Sequence, residues 1–301
     1  MVFLWNPNSG KGKLHSCLSD VIRVFSESGY LVTAVPTRGP KDATRIVKEF
    51  GRDCEILVSS GGDGTLTESI SGMLEIPKEE RPVFGYIPSG TTNDVARSLG
   101  ISRNPVQAAK QIADGKKVSI DIGKCGKQYF TYCAAFGAFT EVTYMTPQEA
   151  KHLLGHQAYV LEGMKSIQDI RPISVRVELD GNLWFDGSVL FAMVTNSQSV
   201  GGFKYLTGSS VKMNDGLFEV SLVPAVPNLM NLDWNSLKRQ MLDFRADTGA
   251  FLTKKAENVY IKIYDTLPLI FDGEYGGNFS DINIKNLKEE LEILIPNNQE
   301  F

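Results

Sequence analysis

Over the first third of the chain, short apolar runs alternate with segments of helical spacing. Val2 to Trp5 predicts a buried strand, and Asn6 to Gly12 (NPNSGKG) is a turn rich in chain-breaking residues. Leu14 to Ser28 places Leu14, Leu18, Val21, Ile22 and Phe25 on one helical face, and Gly29 stops it. The alternation continues with a strand over Leu31–Val35, a helix over Pro40–Phe50, a strand over Cys54–Val58, a helix over Leu66–Met73 and a strand over Val83–Ile87. Helical segments at Val95–Leu99 and Pro105–Ala113 follow. Strand–turn–helix repetition of this kind argues for a parallel sheet covered by helices on both faces.

The pattern then changes. Lys117–Cys125, Gln128–Ala135, Val175–Leu179, Leu183–Asp186 and Ser188–Thr195 are strand-like, with Asp180-Gly181-Asn182 as a hairpin signal. Leu217–Val223, Val259–Tyr264, Leu269–Asp272, Ile282–Ile284 and Leu291–Ile295 extend the series. Two helical interludes, Pro147–Gln168 and Leu229–Phe244, interrupt it. These runs predict a second, mostly antiparallel β domain. The expected boundaries are 1–124 for the α/β domain, with 288–301 as a candidate return to it, and 125–287 for the β domain.

One stretch organises the first domain. Ser59 to Thr65 (SSGGDGT) lies between an apolar strand and a helix. In open α/β sheets ligands bind beyond the strand ends, and a helix N-terminus there favours phosphate. Consecutive glycines let backbone approach a ligand. Asp63 is the anomaly, since a carboxylate beside a phosphate needs a cation between them. The stretch fails the GxGxxG dinucleotide pattern, because Thr67 stands where its third glycine would be, and NPNSGKGK lacks P-loop spacing. A plain tight turn is the alternative at each.

Composition narrows the choices. The 301 residues are 42% hydrophobic and 22% charged with a net charge of −4, ordinary for a globular protein and unsuited to a general nucleic-acid binder. The four cysteines, Cys17, Cys54, Cys125 and Cys133, are scattered in apolar surroundings, which reads as buried thiols. His152 and His156 are four apart but lack the glutamate of a zinc-protease motif. No signal peptide or transmembrane segment is expected, so the chain reads as cytoplasmic, reaching any lipid from the membrane surface. Leu229–Phe244, with Trp234 among its apolar residues and Lys238 and Arg239 beside them, is either a bilayer-surface helix or a helix packed on its own domain.

Two further turns carry unusual residues. Pro88 to Arg97 (PSGTTNDVAR) puts Asp94 at a strand end neighbouring Asp63, so that two carboxylates converge as direct or water-mediated holders of Mg²⁺. Phe271 to Gly277 (FDGEYGG) ends a strand in Asp272-Gly273-Glu274, either a solvated turn or the source of a proton acceptor.

NPNSG at 6–10, GGDGT at 61–65, PSGTTNDVAR at 88–97, LGHQAY at 154–159, KMNDGLFEV at 212–220 and DGE at 272–274 stand in the order of the diacylglycerol kinase catalytic-domain superfamily, which the chain resembles from about residue 2 to residue 295. That superfamily includes bacterial lipid kinases, sphingosine kinases and ceramide kinases. The resemblance implies a Rossmann-like nucleotide-binding domain akin to NAD kinases and phosphofructokinases, a β-sandwich-like second domain, and an active site in the cleft between them. It implies ATP and Mg²⁺ as cofactors and a lipid hydroxyl as acceptor, most often diacylglycerol. Asn6, Pro7, Asn8, Ser9, Gly10, Thr37, Gly61, Gly62, Asp63, Gly64, Thr65, Leu66, Thr67 and Thr92 resemble the ATP-contacting positions. Asp63 and Asp94 resemble acids near the catalytic magnesium, Glu274 the proton acceptor with Asp272 its competitor. Lys212 and Leu217, through their carbonyls, and Asp215 match a structural magnesium site. The roles of Lys11 and Lys13 stay open. Alternatives are a kinase for a sphingoid base, monoacylglycerol or phosphatidylglycerol, a soluble-substrate kinase acting on NAD, and a nucleotide-binding regulator without catalysis. A homodimer is compatible with each.

Overall fold

The computed structural model describes residues 1–12, 14–137, 171–200, 203–204, 211–225 and 252–299. The expected helices at Pro147–Gln168 and Leu229–Phe244, His152, His156, the LGHQAY segment and Lys13 lie outside the described residues. The chain divides into two compact units, Met1–Asp121 with Glu289–Phe301, and Ile122–Lys288.

In the first unit the apolar runs form β1 (Val2–Trp5), β2 (Thr33–Pro36), β3 (Ile56–Gly61) and β4 (Val83–Pro88). The helices between and after them are α1 (Leu18–Glu27), α2 (Asp42–Phe50), α3 (Asp63–Leu74), α4 (Asp94–Ser98) and α5 (Pro105–Ala113). β2, β1, β3 and β4 lie side by side in that order, all parallel. β1, β3 and β4 are buried throughout, which is why they read as continuous apolar runs. α1 packs with α5 and α2 with α3. β2 is an exposed edge strand, and Leu31, assigned to it by hydrophobicity, precedes it at 91% exposure. β3 runs three residues further than its apolar stretch, through Ser59, Ser60 and Gly61, all buried. The glycine turn is therefore a single residue, Gly62, and Asp63 opens α3.

β5 (Lys116–Cys125) begins in the first unit and enters the second at Ile122, which continues with β6 (Gln128–Phe130), β7 (Cys133–Gly137), β8 (Ile173–Leu179) and β9 (Asn182–Thr195). A two-residue pair, β10 (Ser199–Val200) and β11 (Phe203–Lys204), precedes β12 (Phe218–Pro224), β13 (Leu252–Ala256), β14 (Asn258–Phe271) and β15 (Glu274–Ile295). Its pairings are antiparallel, running β13, β12, β9, β7, β14, β15, with β8 joining β9 and β14. The Asp180-Gly181 hairpin forms, with φ of 50° and 78°. Phe130 centres the core, stacked on Phe218 at 5.6 Å and Phe271 at 5.8 Å. Gly123 lets that ring in, since a Cβ there would lie 2.1 Å from it.

Three strands expected as pairs of short runs are single, among them β15, which joins Ile282–Ile284 to Leu291–Ile295. β9 passes through Gly187, and β14 absorbs register shifts between Lys262 and Leu267 and at Leu269. Conversely, the run Gln128–Ala135 breaks at Thr131-Tyr132, where backbone N–H groups turn to the Asp272 carboxylate. β15 crosses from one unit to the other. Its final residues lie beside β4, Ile293 opposite Phe84 in parallel, and Arg81 bonds both the backbone and the carboxylate of Glu290 at 2.9 Å.

Candidate active site

In the first unit, three turns after strands meet. Asn6, following β1, donates its backbone N–H to Ser60 O at 2.8 Å and its side-chain amide to Thr65 Oγ1 at 3.0 Å. Its own Oδ1 accepts from Asn8 N at 2.9 Å, shaping the NPNSG turn. Ser89, after β4, donates to Ser9 Oγ at 3.0 Å. Thr37, after β2, is buried and bonded through its N–H to Trp5 O. Close approach depends on missing Cβ atoms. A Cβ on Gly90 would sit 2.6 Å from Gly62 Cα, and one on Gly10 1.8 Å from Ser89 O.

Gly10→Ala should therefore force the 6–12 and 88–93 turns apart. Its φ of 60° adds strain of roughly 1–3 kcal/mol. The expected result is lower melting and about 10–100-fold weaker nucleotide binding by calorimetry. Gly12→Ala is the control, because Gly12 also has positive φ but its Cβ meets nothing within 4 Å. Equal losses in both variants would count against the close-approach explanation.

Asp63 joins two of these turns. As the first residue of α3 its carboxylate suits the positive end of the helix. Oδ2 accepts from Asn93 N at 2.9 Å and Oδ1 from Asp94 N at 3.1 Å. Asn93, at φ 54°, closes the same turn through Gly90, accepting its N–H and donating to its carbonyl. Beneath, the buried Tyr86 hydroxyl donates to Gly61 O at 3.1 Å. Burial first, then the charges of Asp63 and Asp94, push this phenol well above its ordinary pKa, so it stays a donor. Asp94 is itself buried. The two acids are thus brought together, with Asp63 already committed to backbone donors. A carboxylate held by backbone donors in this way suits contact with a magnesium ion through water, since Mg²⁺ commonly keeps several of its waters.

The set fits a bound nucleotide. Gly62 at the N-cap of α3 brings no side chain to cover the first-turn N–H groups, and the hydroxyls of Ser9, Thr65 and Ser89 stand around it. Leu66 is 1% exposed, in the core behind the turn. The side chain of Lys11 lies outside the described residues.

In the second unit, Asp272 and Gly273 both take positive φ, 50° and 81°, and link β14 to β15 as a two-residue hairpin turn. The Asp272 side chain accepts three backbone N–H groups, from Thr131 at 2.7 Å, Tyr132 at 2.9 Å and Cys133 at 3.0 Å. It is 2% exposed and acts as a clamp. Glu274, two residues on, opens β15 with its side chain exposed. The two acids of the turn therefore stand in different surroundings, one buried and bonded and the other exposed.

The KMNDGLFEV segment forms the turn into β12. Asp215 Oδ1 accepts from Leu217 N at 3.0 Å around Gly216, whose φ is 82°. Oδ2 accepts from Lys255 Nζ at 2.9 Å. Lys255 also lies 3.1 Å from Glu219 Oε1. Burial raises the Glu219 carboxyl to about 7, with Lys255 pulling down and Asp215 pushing up. Among the described residues no three His, Cys, Asp or Glu side chains gather around a metal position. A cation held here leans on backbone carbonyls, as the Lys212, Asp215 and Leu217 set supposes. The hard oxygens present and the buried Glu219 carboxylate suit magnesium.

Sequence reasoning missed two features. Thr195, the last residue of β9, and Asn196 and Ser197 just after it are fully buried, and Thr195 Oγ1 bonds Tyr132 O at 2.6 Å beside the Asp272 clamp. A polar run directly after an apolar strand was the available signal. Asp121, also fully buried, accepts Glu289 N at 2.7 Å and ties the returning segment into the first unit.

Residues 1–125 match the family model described as the diacylglycerol kinase catalytic domain. The chain is 35% identical over 297 residues to the diacylglycerol kinase of Bacillus subtilis (strain 168), covering 97% of this chain and 95% of that one. Against the diacylglycerol kinase of Staphylococcus carnosus (strain TM300) it is 34% identical over 294 residues, covering 97% and 94%. A crystal structure of a diacylglycerol kinase from Bacillus anthracis superposes with a TM-score of 0.81 at 24% identity, covering 98% of this chain and 96% of that one. An NAD kinase from Archaeoglobus fulgidus, solved in complex with ATP, gives 0.53 at 13% identity over 98% and 93%. Both structural likenesses are of fold.

Proposed function

The chain belongs to the diacylglycerol kinase family and is a lipid kinase, and from this premise we propose that it transfers the γ-phosphoryl group of ATP to the hydroxyl of diacylglycerol, giving phosphatidic acid. The observation that carries the reading is the Asp63 carboxylate, which locks the Asn93-Asp94 backbone to the start of α3 and so sets a glycine-lined phosphate cradle beside two acids.

In this reading Asn6, Ser9, Gly10, Thr37, Gly61 to Thr67 and Thr92 hold the nucleotide. Asp63 and Asp94 orient the water shell of the catalytic cation. Mg²⁺ supplies neutralisation of the charge that spreads over the transferred phosphoryl oxygens. Glu274 takes the proton from the attacking hydroxyl, and Asp272 holds the turn that aims it. Phosphoryl transfer asks little covalent chemistry of a protein, so positioning and charge carry the catalysis. Lys212, Asp215 and Leu217 hold a second, structural magnesium. Among the described residues no helix is long and apolar enough to cross a membrane. We place the protein in the cytoplasm, meeting its lipid by peripheral contact, with a homodimer as a compatible assembly.

The test is phosphate transfer from radiolabelled ATP with Mg²⁺ to diacylglycerol, monoacylglycerol, sphingosine and phosphatidylglycerol in mixed micelles, and to NAD in solution. Label in phosphatidic acid is expected. Preferential labelling of another lipid would reassign the acceptor, and labelling of NAD alone would overturn the proposed lipid acceptor. ATP binding with no transfer to any acceptor would leave a nucleotide-binding regulator.

A further inference from the structure

Glu219 is a buried acid that the proposed reaction does not use. It sits on β12 directly opposite Lys255 on β13 and is 2% exposed. Neither of its carboxylate oxygens has a hydrogen-bond partner, although Oε1 lies 3.1 Å from Lys255 Nζ. The same ammonium is 2.9 Å from Asp215 Oδ2. A buried carboxylate with an unsatisfied oxygen is costly unless a cation or donor reaches it. Lys255 alone serves two acids poorly, and it ends a long stem whose side chain is 36% exposed and able to swing to solvent.

Charge points the same way. With both acids ionised, Asp215 and Glu219 outnumber Lys255 by one negative charge, whereas two carboxylates around one divalent cation balance. We propose that Glu219 is a further carboxylate of the cation site in the 212–217 loop, and that Lys255 is its stand-in cation, displaced when Mg²⁺ binds. The inference rests on reading that loop as a magnesium site. Glu219 would act on the ion directly or through a bound water, as Mg²⁺ commonly retains several. Lys255 would hold the two acids together in its absence.

The experiment is calorimetric titration of the full, chelator-stripped chain with MgCl₂ in the absence of nucleotide, with melting curves in parallel. Glu219→Gln, which preserves shape, should weaken Mg²⁺ binding about 10–100-fold. Lys255→Met should melt lower without metal yet bind Mg²⁺ about fivefold tighter. Lys255→Arg should bind as wild type. Circular dichroism checks that each variant folds. Should Asp215→Asn bind Mg²⁺ like wild type, the loop is not a metal site and the underlying reading falls. Should Asp215→Asn abolish binding while Glu219→Gln and Lys255→Met match wild type, the loop site stands and this proposal falls.

Discussion

Glu274→Gln should lower the rate of lipid phosphorylation about 10²–10⁴-fold while ATP affinity and melting temperature stay near wild type. The amide keeps the size of the side chain and loses the ability to take a proton. Glu274 is exposed at the first position of β15, so the exchange should cost under about 0.5 kcal/mol of stability. Asp272→Asn should behave in the opposite manner. Its carboxylate accepts three backbone N–H groups within the β6–β7 break, and an amide offers one acceptor oxygen in place of two. At least one buried donor is then orphaned, a loss of roughly 1–3 kcal/mol. Activity should fall with stability and partly return on cooling. Initial rates with radiolabelled ATP, melting curves and nucleotide titrations on both variants separate the roles. A folded Glu274→Gln enzyme with near-normal transfer, beside an inactive Asp272→Asn of unchanged stability, would make Asp272 the base.

The second large effect is expected at Asp63. Asp63→Asn leaves one amide group where two backbone donors converge, so either Asn93 N or Asp94 N loses its acceptor. Stability should drop by about 1–3 kcal/mol, and the 88–94 turn should loosen from α3. Because displacement of a positioning group by about 1 Å can cost 10²-fold, kcat should fall at least about 10²-fold, with KM for Mg–ATP rising as well. Asp63→Glu should not rescue, since its longer side chain cannot reproduce both bonds from the same backbone. Steady-state kinetics across Mg²⁺ concentrations are the check. A loss that excess Mg²⁺ fully restores would make Asp63 a direct metal ligand, against the clamp described here.

Much of this was legible in the residues because the chemistry is concentrated in turns. SSGGDGT, PSGTTNDVAR and DGE each carry glycine beside acid, and β1, β3 and β4, buried on both faces, announce themselves as continuous apolar runs. The long strands were not legible as units. β14 and β15 are exposed along much of their length, and their polar residues broke the apolar pattern into fragments. Nor could the run Gln128–Ala135 disclose its break, which exists because Asp272, more than a hundred residues later, draws the backbone donors of Thr131 and Tyr132. The contrast between a buried, bonded Asp272 and an exposed Glu274 was invisible for the same reason: two acids in one tripeptide look alike until their surroundings are known. Glu219 and Lys255 were also overlooked, since strand pairing brings them together rather than any motif.

The crossing of β15 bears on how the protein is made. Arg81 and Glu290 are 209 residues apart, so the ribosome has β1 to β4 finished long before their last neighbour emerges. At roughly 5–20 residues per second the wait is on the order of 10–40 s. Throughout that interval the N-terminal half carries an open edge at β4, with backbone donors and acceptors ready to pair with any passing strand. The first part to be translated is therefore among the last to be completed. Nascent chains of this protein should lean on holdase chaperones until the final strand is released, whatever the stability of the finished molecule.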